Sequence, residues 1–499
     1  MVINNPILSG MHPDPSICRV GKDFYLVNST FEYFPGIPVY HSTDLVNWEQ
    51  IGHCLTRESQ FKLKKAIPNC IGIYAPTIRY NNGTFYCIVT NVGSEINGGN
   101  FFVWTKDPYG EWSDPVYLDF DGIDPSLFFD DDGKVYYTGT DKGIFICEID
   151  IETGARKSDK VYDWNGNGSN NPEGPHLYKI DGMYYLMIAE GGTELNHQVT
   201  IARSNNVFGP YEGCPYNPIM TNRGTELPIK AIGHADLVDD CNGNWWAVCL
   251  GNRPLMYPFK HNMGRETNLV PVKWVNGWPV MGDNGLVREV IELPYEAGEK
   301  TPDTGRYMAC SNVTDNFKGS ELHPSWNYIY NPVEGLVEIT GENVILHGNE
   351  CDISSVESKA ILCRRQEHFD FEATVTMSTD LKDNGEEAGL TIYMNNRHHY
   401  EIAVAMINNK KNIIVRRQIG SLKAIEAVIP YSSDTVELKL TGSKEKYGFM
   451  YRDGDEWKYA GEGEAQYLTT EVGGCFTGNY LGVYATRTDA VLTSFSYIS

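Results

Sequence analysis

Apolar and polar positions along this chain alternate with a period of two over short runs, and almost no segment keeps a helical period across several turns. The runs are separated by turns bearing Gly, Asn or Asp, which is the pattern of hairpins. One unit recurs. At 122–137 the chain reads GIDPSLFFDDDGKVYY: an acidic residue at the mouth of a strand, a short apolar strand, a turn with Asp130, Asp131, Asp132 and Gly133, and an aromatic-rich return strand. The same sentence begins at Asp14 (DPSICRVGKDFYLV), Ala75 (APTIRYNNGTFYCIV), Gly174 (GPHLYKIDGMYYLMI) and Ala235 (ADLVDDCNGNWWAVC). The copies recur about every 50–60 residues, the period of a propeller blade of four short strands, so five copies predict five blades. After about Met308 the repeat is gone, and FEATVTMS, GLTIYMN, YEIAVAM and NIIVRRQ predict an antiparallel sandwich. The expected fold is all-β: a five-bladed β-propeller over 1–296, a Pro/Gly/charged linker over 297–307, and a jelly-roll-like β-sandwich over 308–499.

The register of the copies carries a chemical implication. The first strand of a propeller blade is innermost, so its leading residues rim the central channel. Aligned copies place Asp14 and Asp124 at equivalent positions, with Glu173 and His234 one residue ahead of theirs. Three carboxylates and an imidazole are thus expected to converge at one end of one channel. Gathering like charges there is costly unless chemistry requires it, which marks an active site.

Composition narrows the partners. Of 499 residues, 41% are hydrophobic and 12% aromatic, enough for two β cores, and the formal net charge is -24. That charge argues against nucleic acid and against an anionic membrane, and suits a neutral ligand such as a sugar. The first residues lack a basic and an apolar signal region, and no stretch is long and apolar enough to span a bilayer. Twelve scattered cysteines without a CxxC pair predict buried free thiols and a cytoplasmic setting. No nucleotide or phosphate-loop motif is present, so no organic cofactor is expected. A homo-oligomer is compatible with the composition. The run Asp130 to Gly133 has a superficial likeness to a calcium loop, but it matches the hairpin turn of every repeat and is read as a turn.

HPDPSICR, STFEYFPG and HSTDLVNW, followed in order by GIYAPTIRY, GIDPSLFFDDDG, PEGPHLY, AEGGT, GHADLV and GRET, resemble glycoside hydrolase family 43, the five-bladed β-xylosidases and α-L-arabinofuranosidases. DNFKGSELHPSW and GGCFTGNYLGVYA resemble the accessory sandwich of one branch of that family. The resemblance implies an inverting, exo-acting hydrolase that releases terminal β-D-xylose or α-L-arabinofuranose from short oligosaccharides. It implies Asp14 as general base, Glu173 as general acid and Asp124 as the third carboxylate that tunes and orients the acid. Those roles agree with the chemistry, since a neighbouring carboxylate raises an acid's pKa while the base stays ionised. Arg265 is implied to reach sugar hydroxyls. Phe31 and Tyr74 are candidate walls for the apolar face of a sugar, with His197 at the rim and Phe476 on a sandwich loop that narrows the mouth. Many close relatives carry Trp at the position of Tyr74, which leaves the choice of pentose open. Some family members hold a hydrated calcium ion on the channel axis, so the resemblance implies Ca²⁺ near His234 with that imidazole as a minority, substrate-side ligand. Two other readings are a non-catalytic carbohydrate-binding propeller, which would need only the aromatic walls and Arg265, and a retaining fructoside hydrolase of the related five-bladed class, whose NDPNG, RDP and ECP motifs are missing.

Overall fold

A computed structural model describes residues 1–63, 70–93, 98–294, 307–474 and 476–499. Five sheets follow one another from the N-terminus, each led by a strand that lies innermost: Ser16–Val20, Thr77–Asn81, Ile123–Phe129, Glu173–Ile180 and Lys230–Asp239. These are the five repeats found in the sequence, and the propeller is five-bladed. The expected linker lies outside the described residues except for Tyr307. Tyr307–Met308 adds an antiparallel edge to the first blade, opposite Gln50 and Glu49.

The ring is closed by the chain's first residues. Val2–Asn4 pairs with Val290–Glu292, and the Asn5 amide donates to the Leu269 carbonyl at 2.9 Å while accepting the Leu269 N–H at 2.8 Å. Ile17, Leu26, Tyr40 and Trp48 of the first blade pack against Trp246, Val248 and Leu269 of the fifth in one buried cluster. Burying each such side chain contributes about 1.5–3 kcal/mol, so closure is driven by the apolar seam and registered by Asn5.

The mouths of four of the five innermost strands share a backbone device. Asp14 (φ 49°), Asp124 (φ 56°), Gly174 (φ 56°) and His234 (φ 47°) all lie in the left-handed region. In three blades the ladder register shifts at this point, between Ile123 and Ser126, Glu173 and His176, and Gly233 and Asp236. A bulge re-aims the side chain beside it, and a strained non-glycine residue is kept where function needs that aim. The bulges also correct the sequence register: His234 is equivalent to Asp14 and Asp124, and only Glu173 stands one residue ahead. The turn at Asp130 is a hairpin turn, closed by the Asp130 N–H on the Lys134 carbonyl at 3.0 Å with Gly133 at φ 83°.

The second unit is a two-sheet sandwich. One sheet contains Phe371–Ser378, Thr435–Gly442, Lys446–Asp453 and Asp489–Ile498; the other contains Ala360–Arg365, Tyr480–Thr486, Glu387–Asn395, His398–Ile407, Lys410–Ile419 and Leu422–Pro430. Alternate residues such as Val375, Leu390, Ile402 and Leu438 fill the space between them. The opposite face of the six-stranded sheet, including Tyr393, Ala403, Ile414 and Tyr480, packs on Tyr33, Phe61 and Ile329. Tyr33 and Tyr480 stack at 3.7 Å between ring centroids, and the Arg365 guanidinium donates to the Met11 carbonyl at 2.8 Å.

Candidate active site

At the channel mouth a small pocket of about 90 Å³ is lined by Asp14, Asp124, Glu173, His234, His197 and Arg265, with Phe31, Tyr74 and Phe476 as its aromatic wall. All nine residues singled out in the sequence therefore meet in one place.

Asp14 is buried, and its carboxylate is held by charge-assisted bonds: Arg265 donates from Nη1 to Oδ1 at 2.6 Å and from Nη2 to Oδ2 at 3.3 Å, and Ser29 Oγ donates to Oδ2 at 2.5 Å. His234 Nδ1 lies 4.0 Å from Oδ1. Burial pushes this carboxyl up, but Arg265, His234 and Ser29 together outweigh it and leave Asp14 below its ordinary range. Glu173 has the opposite balance. Burial and the Asp14 charge push it up to about 7, with only Arg265 opposing. Asp124 is also raised, by burial above all and by Glu173 and Asp14, against the pull of His234. Of these two coupled carboxyls, Asp124 is the better seat for negative charge, because it accepts the Gly174 N–H at 3.0 Å and faces His234. These contacts favour a proton on Glu173 over one on Asp124. A pocket with one fixed carboxylate and one protonated acid can deprotonate water at one point and protonate a leaving group at another.

The wall is built from both units. Phe31 and Phe476 stack at 5.9 Å, Phe31 and Tyr74 meet at 5.2 Å, and the Arg265 guanidinium lies 5.6 Å and 5.7 Å from the rings of Phe31 and Phe476. Phe476 comes from the sandwich and remains 42% exposed, so it is a lip of the pocket rather than a core residue. Its loop is docked next to Arg265: Asn479 N–H donates to the Asn262 carbonyl at 2.8 Å, Thr470 N–H to that of His261 at 3.1 Å, and His261 pairs with Glu471 at 2.7 Å. Tyr74 OH donates to the Cys70 carbonyl at 3.0 Å. Cys70 is disulfide-bonded, which departs from the expected free thiols, while ten other cysteines are free.

His197 Nδ1–H donates to the Ala231 carbonyl at 3.1 Å, and burial brings its pKa down to about 3, so it is neutral. Its ring occupies the space a side chain at 233 would need: a Cβ on Gly233 would fall 2.2 Å from His197 Cε1. The glycine of GHAD is thus a packing requirement.

Deeper in the channel the structure holds a group that sequence reasoning missed. Arg79 donates to both oxygens of Asp236, at 2.7 Å and 3.1 Å, and its Nη2 is 3.0 Å from His176 Nδ1. Asp236 also accepts from Ser16 Oγ, the Ile17 N–H and Tyr178 OH. Every side of that carboxylate is committed, and a guanidinium already supplies the positive charge beside His176, whose ring centroid is 6.4 Å from that of His234. Among the described residues no three His, Cys, Asp or Glu side chains are grouped to hold a metal ion. The signal that could have found Arg79 and Asp236 is a lone opposite-charge pair on innermost strands, which have no solvent face.

Residues 3–279 match the family described as Glycosyl hydrolases family 43. The chain belongs to this family. Residues 314–498 match the Beta xylosidase C-terminal Concanavalin A-like domain, so both units of this family 43 enzyme have counterparts. It is 39% identical to the non-reducing end alpha-L-arabinofuranosidase BoGH43B of Bacteroides ovatus over 96% of this chain and 90% of that protein. It is 40% identical to a xylosidase/arabinosidase of Butyrivibrio fibrisolvens over 100% and 99%. The solved structure of GH43B from the Bacteroides ovatus xyloglucan PUL superposes with a TM-score of 0.94 at 37% identity, covering 100% of this chain and 99% of the other. The protein is a glycosidase, and the reading as a silent carbohydrate-binding propeller falls away.

Proposed function

We propose that this family 43 enzyme removes a terminal α-L-arabinofuranosyl or β-D-xylosyl unit from short oligosaccharides by single-step inversion. Asp14 acts as general base, Glu173 as general acid, and Asp124 holds Glu173 in its protonated pose. The observation that carries this reading is the split between two carboxyls of one pocket: Asp14 is pinned ionised by Arg265 and Ser29, and the half-buried Glu173 is raised to about 7. Moving an acid from 4.5 to about 7 corresponds to roughly 3 kcal/mol favouring the protonated form. Asp14 then takes a proton from a water that attacks the anomeric carbon, while Glu173 gives its proton to the departing glycosidic oxygen. The small pocket with its aromatic lip supports attack on a chain end, since a polymer passing through would need an open cleft. Support for both sugars comes from the relatives, one bearing an arabinofuranosidase name and another a dual one.

Proton NMR during hydrolysis of an aryl β-D-xyloside and an aryl α-L-arabinofuranoside tests the reading. Inversion gives α-xylose or β-arabinose as the first anomer. The retained anomer appearing first would mean a covalent intermediate and would overturn the role given to Asp14.

A further inference from the structure

Glu190, in the AEGGT motif, is fully buried at the end of the strand Met183–Glu190. Among the described residues no Lys, Arg or His pairs with it. Its carboxylate is filled by neutral donors: the Asn167 N–H reaches Oε1 and Oε2 at 3.0 Å each, the Ser169 N–H reaches Oε1 at 3.0 Å, and Thr200 Oγ1 reaches Oε2 at 2.5 Å. A buried carboxylate without a cation is expensive, and three or more donors are what stabilises it. Two of those donors belong to the turn 166–171, which runs directly into Pro172 and Glu173. The turn is moulded on the carboxylate: Gly166 lies so close that a Cβ there would fall 2.2 Å from Glu190 Cδ, and the Gly191 N–H donates to the Asn170 carbonyl at 2.6 Å. Glu173 itself sits opposite Ala189, the residue before Glu190, in the ladder. On its other side Glu190 leads through Gly191 and Gly192 to Thr193, whose hydroxyl accepts from Arg265 at 3.4 Å.

We propose that Glu190 is a positioning residue for the hydrolysis: by gathering the turn 166–171 it fixes the pose of the Glu173 carboxyl toward the leaving oxygen. This rests on Glu173 being the general acid. An acid held in the wrong pose fails when the leaving group needs a proton and matters little when it does not. General acid catalysis is worth about 10²–10⁴-fold, which sets the scale of the defect.

The test uses the full-length protein and compares Glu190→Gln, Glu190→Ala, Thr200→Val and Glu173→Ala on two aryl pentosides, one leaving as 2,4-dinitrophenolate and one as unsubstituted phenol. Glu173→Ala is expected to lose about 10²-fold or more in kcat on the phenol and far less on the dinitrophenolate. Glu190→Ala should show the same selective loss, Glu190→Gln a smaller one, and Thr200→Val the smallest, with thermal melts confirming folded protein. Should Glu190→Ala fail to fold, the Gln and Val variants carry the same comparison. An equal loss on both leaving groups in the Glu190 and Thr200 variants, with Glu173→Ala still selective, would overturn the positioning role. An unselective Glu173→Ala would overturn the acid assignment instead, and the inference with it.

Discussion

Arg265→Ala removes the guanidinium that faces both Asp14 and Glu173, the proposed base and acid, and the pH profile of the variant tests how far that single charge sets their ionisation. Arg265 contacts Asp14 at 2.6 Å and lowers both Asp14 and Glu173. At an effective dielectric of about 20, two charges in contact attract by about 4 kcal/mol, or about three pH units. That is a ceiling for Asp14, since Ser29 and His234 remain to favour its ionised form. We expect the acid limb of kcat/KM, where Asp14 must be ionised, to rise by at least about one unit. Glu173 must be protonated, and it also loses a charge that lowered it, so the alkaline limb rises too, by less. The whole bell moves to higher pH, on top of a lower maximum from lost contact with the sugar. Stability should follow the same linkage. In the parent, the depressed Asp14 stabilises the fold above its unfolded pKa of about 3.9, and that contribution fades as pH falls through the folded value. In the variant the buried Asp14 carboxylate keeps only Ser29 and His234, so the folded pKa rises and the stability lost near neutral pH, at most about 4 kcal/mol, is relieved on acidification. The melting-temperature gap between the two proteins should therefore close toward about pH 4. Limbs that stay in place, or that move apart in opposite directions, would refute the reasoning.

Three further outcomes are expected. Gly233→Ala should destabilise the protein by about 1–3 kcal/mol in urea titration, because the added methyl lands 2.2 Å from the His197 ring. Phe476→Ala should raise KM for a short oligosaccharide about tenfold, the scale of one lost aromatic contact, and leave the melting temperature unchanged, since Phe476 is 42% exposed. Asp236→Asn leaves the Arg79 guanidinium buried against a neutral amide and should cost about 3–5 kcal/mol in the same urea titration.

Much of this was legible in the sequence because a propeller writes its structure repeatedly. The turn and aromatic return strand in each copy gave the blade count, and the leading Asp14 and Asp124 gave the channel mouth. The register of His234 differs by one because the sequence pattern starts its copy at Ala235, a small residue like the Ala75 that leads the second copy; the bulge between Gly233 and Asp236 is invisible to a pattern of period two. Arg79 was missed for a related reason. A charge inside an alternating strand reads as solvent-facing, yet here its side chain points into a channel and meets Asp236 from another blade. Glu190 carried no signal beyond its motif, since beside the Thr200 hydroxyl its partners are backbone N–H groups about twenty residues upstream, which any sequence could supply. The disulfide at Cys70 escaped because scattered single cysteines carry no pairing signal.

The lip residue Phe476 has a consequence for how such a protein can change over generations. It is supplied by a unit that holds neither the base nor the acid, so mutations in that unit can retune which chain ends are admitted while the bond-breaking apparatus is left intact. The same arrangement ties the two units together in descent: a copy that lost its sandwich would keep Asp14, Asp124, Glu173, Phe31 and Tyr74, and lose Phe476 from the pocket's lip.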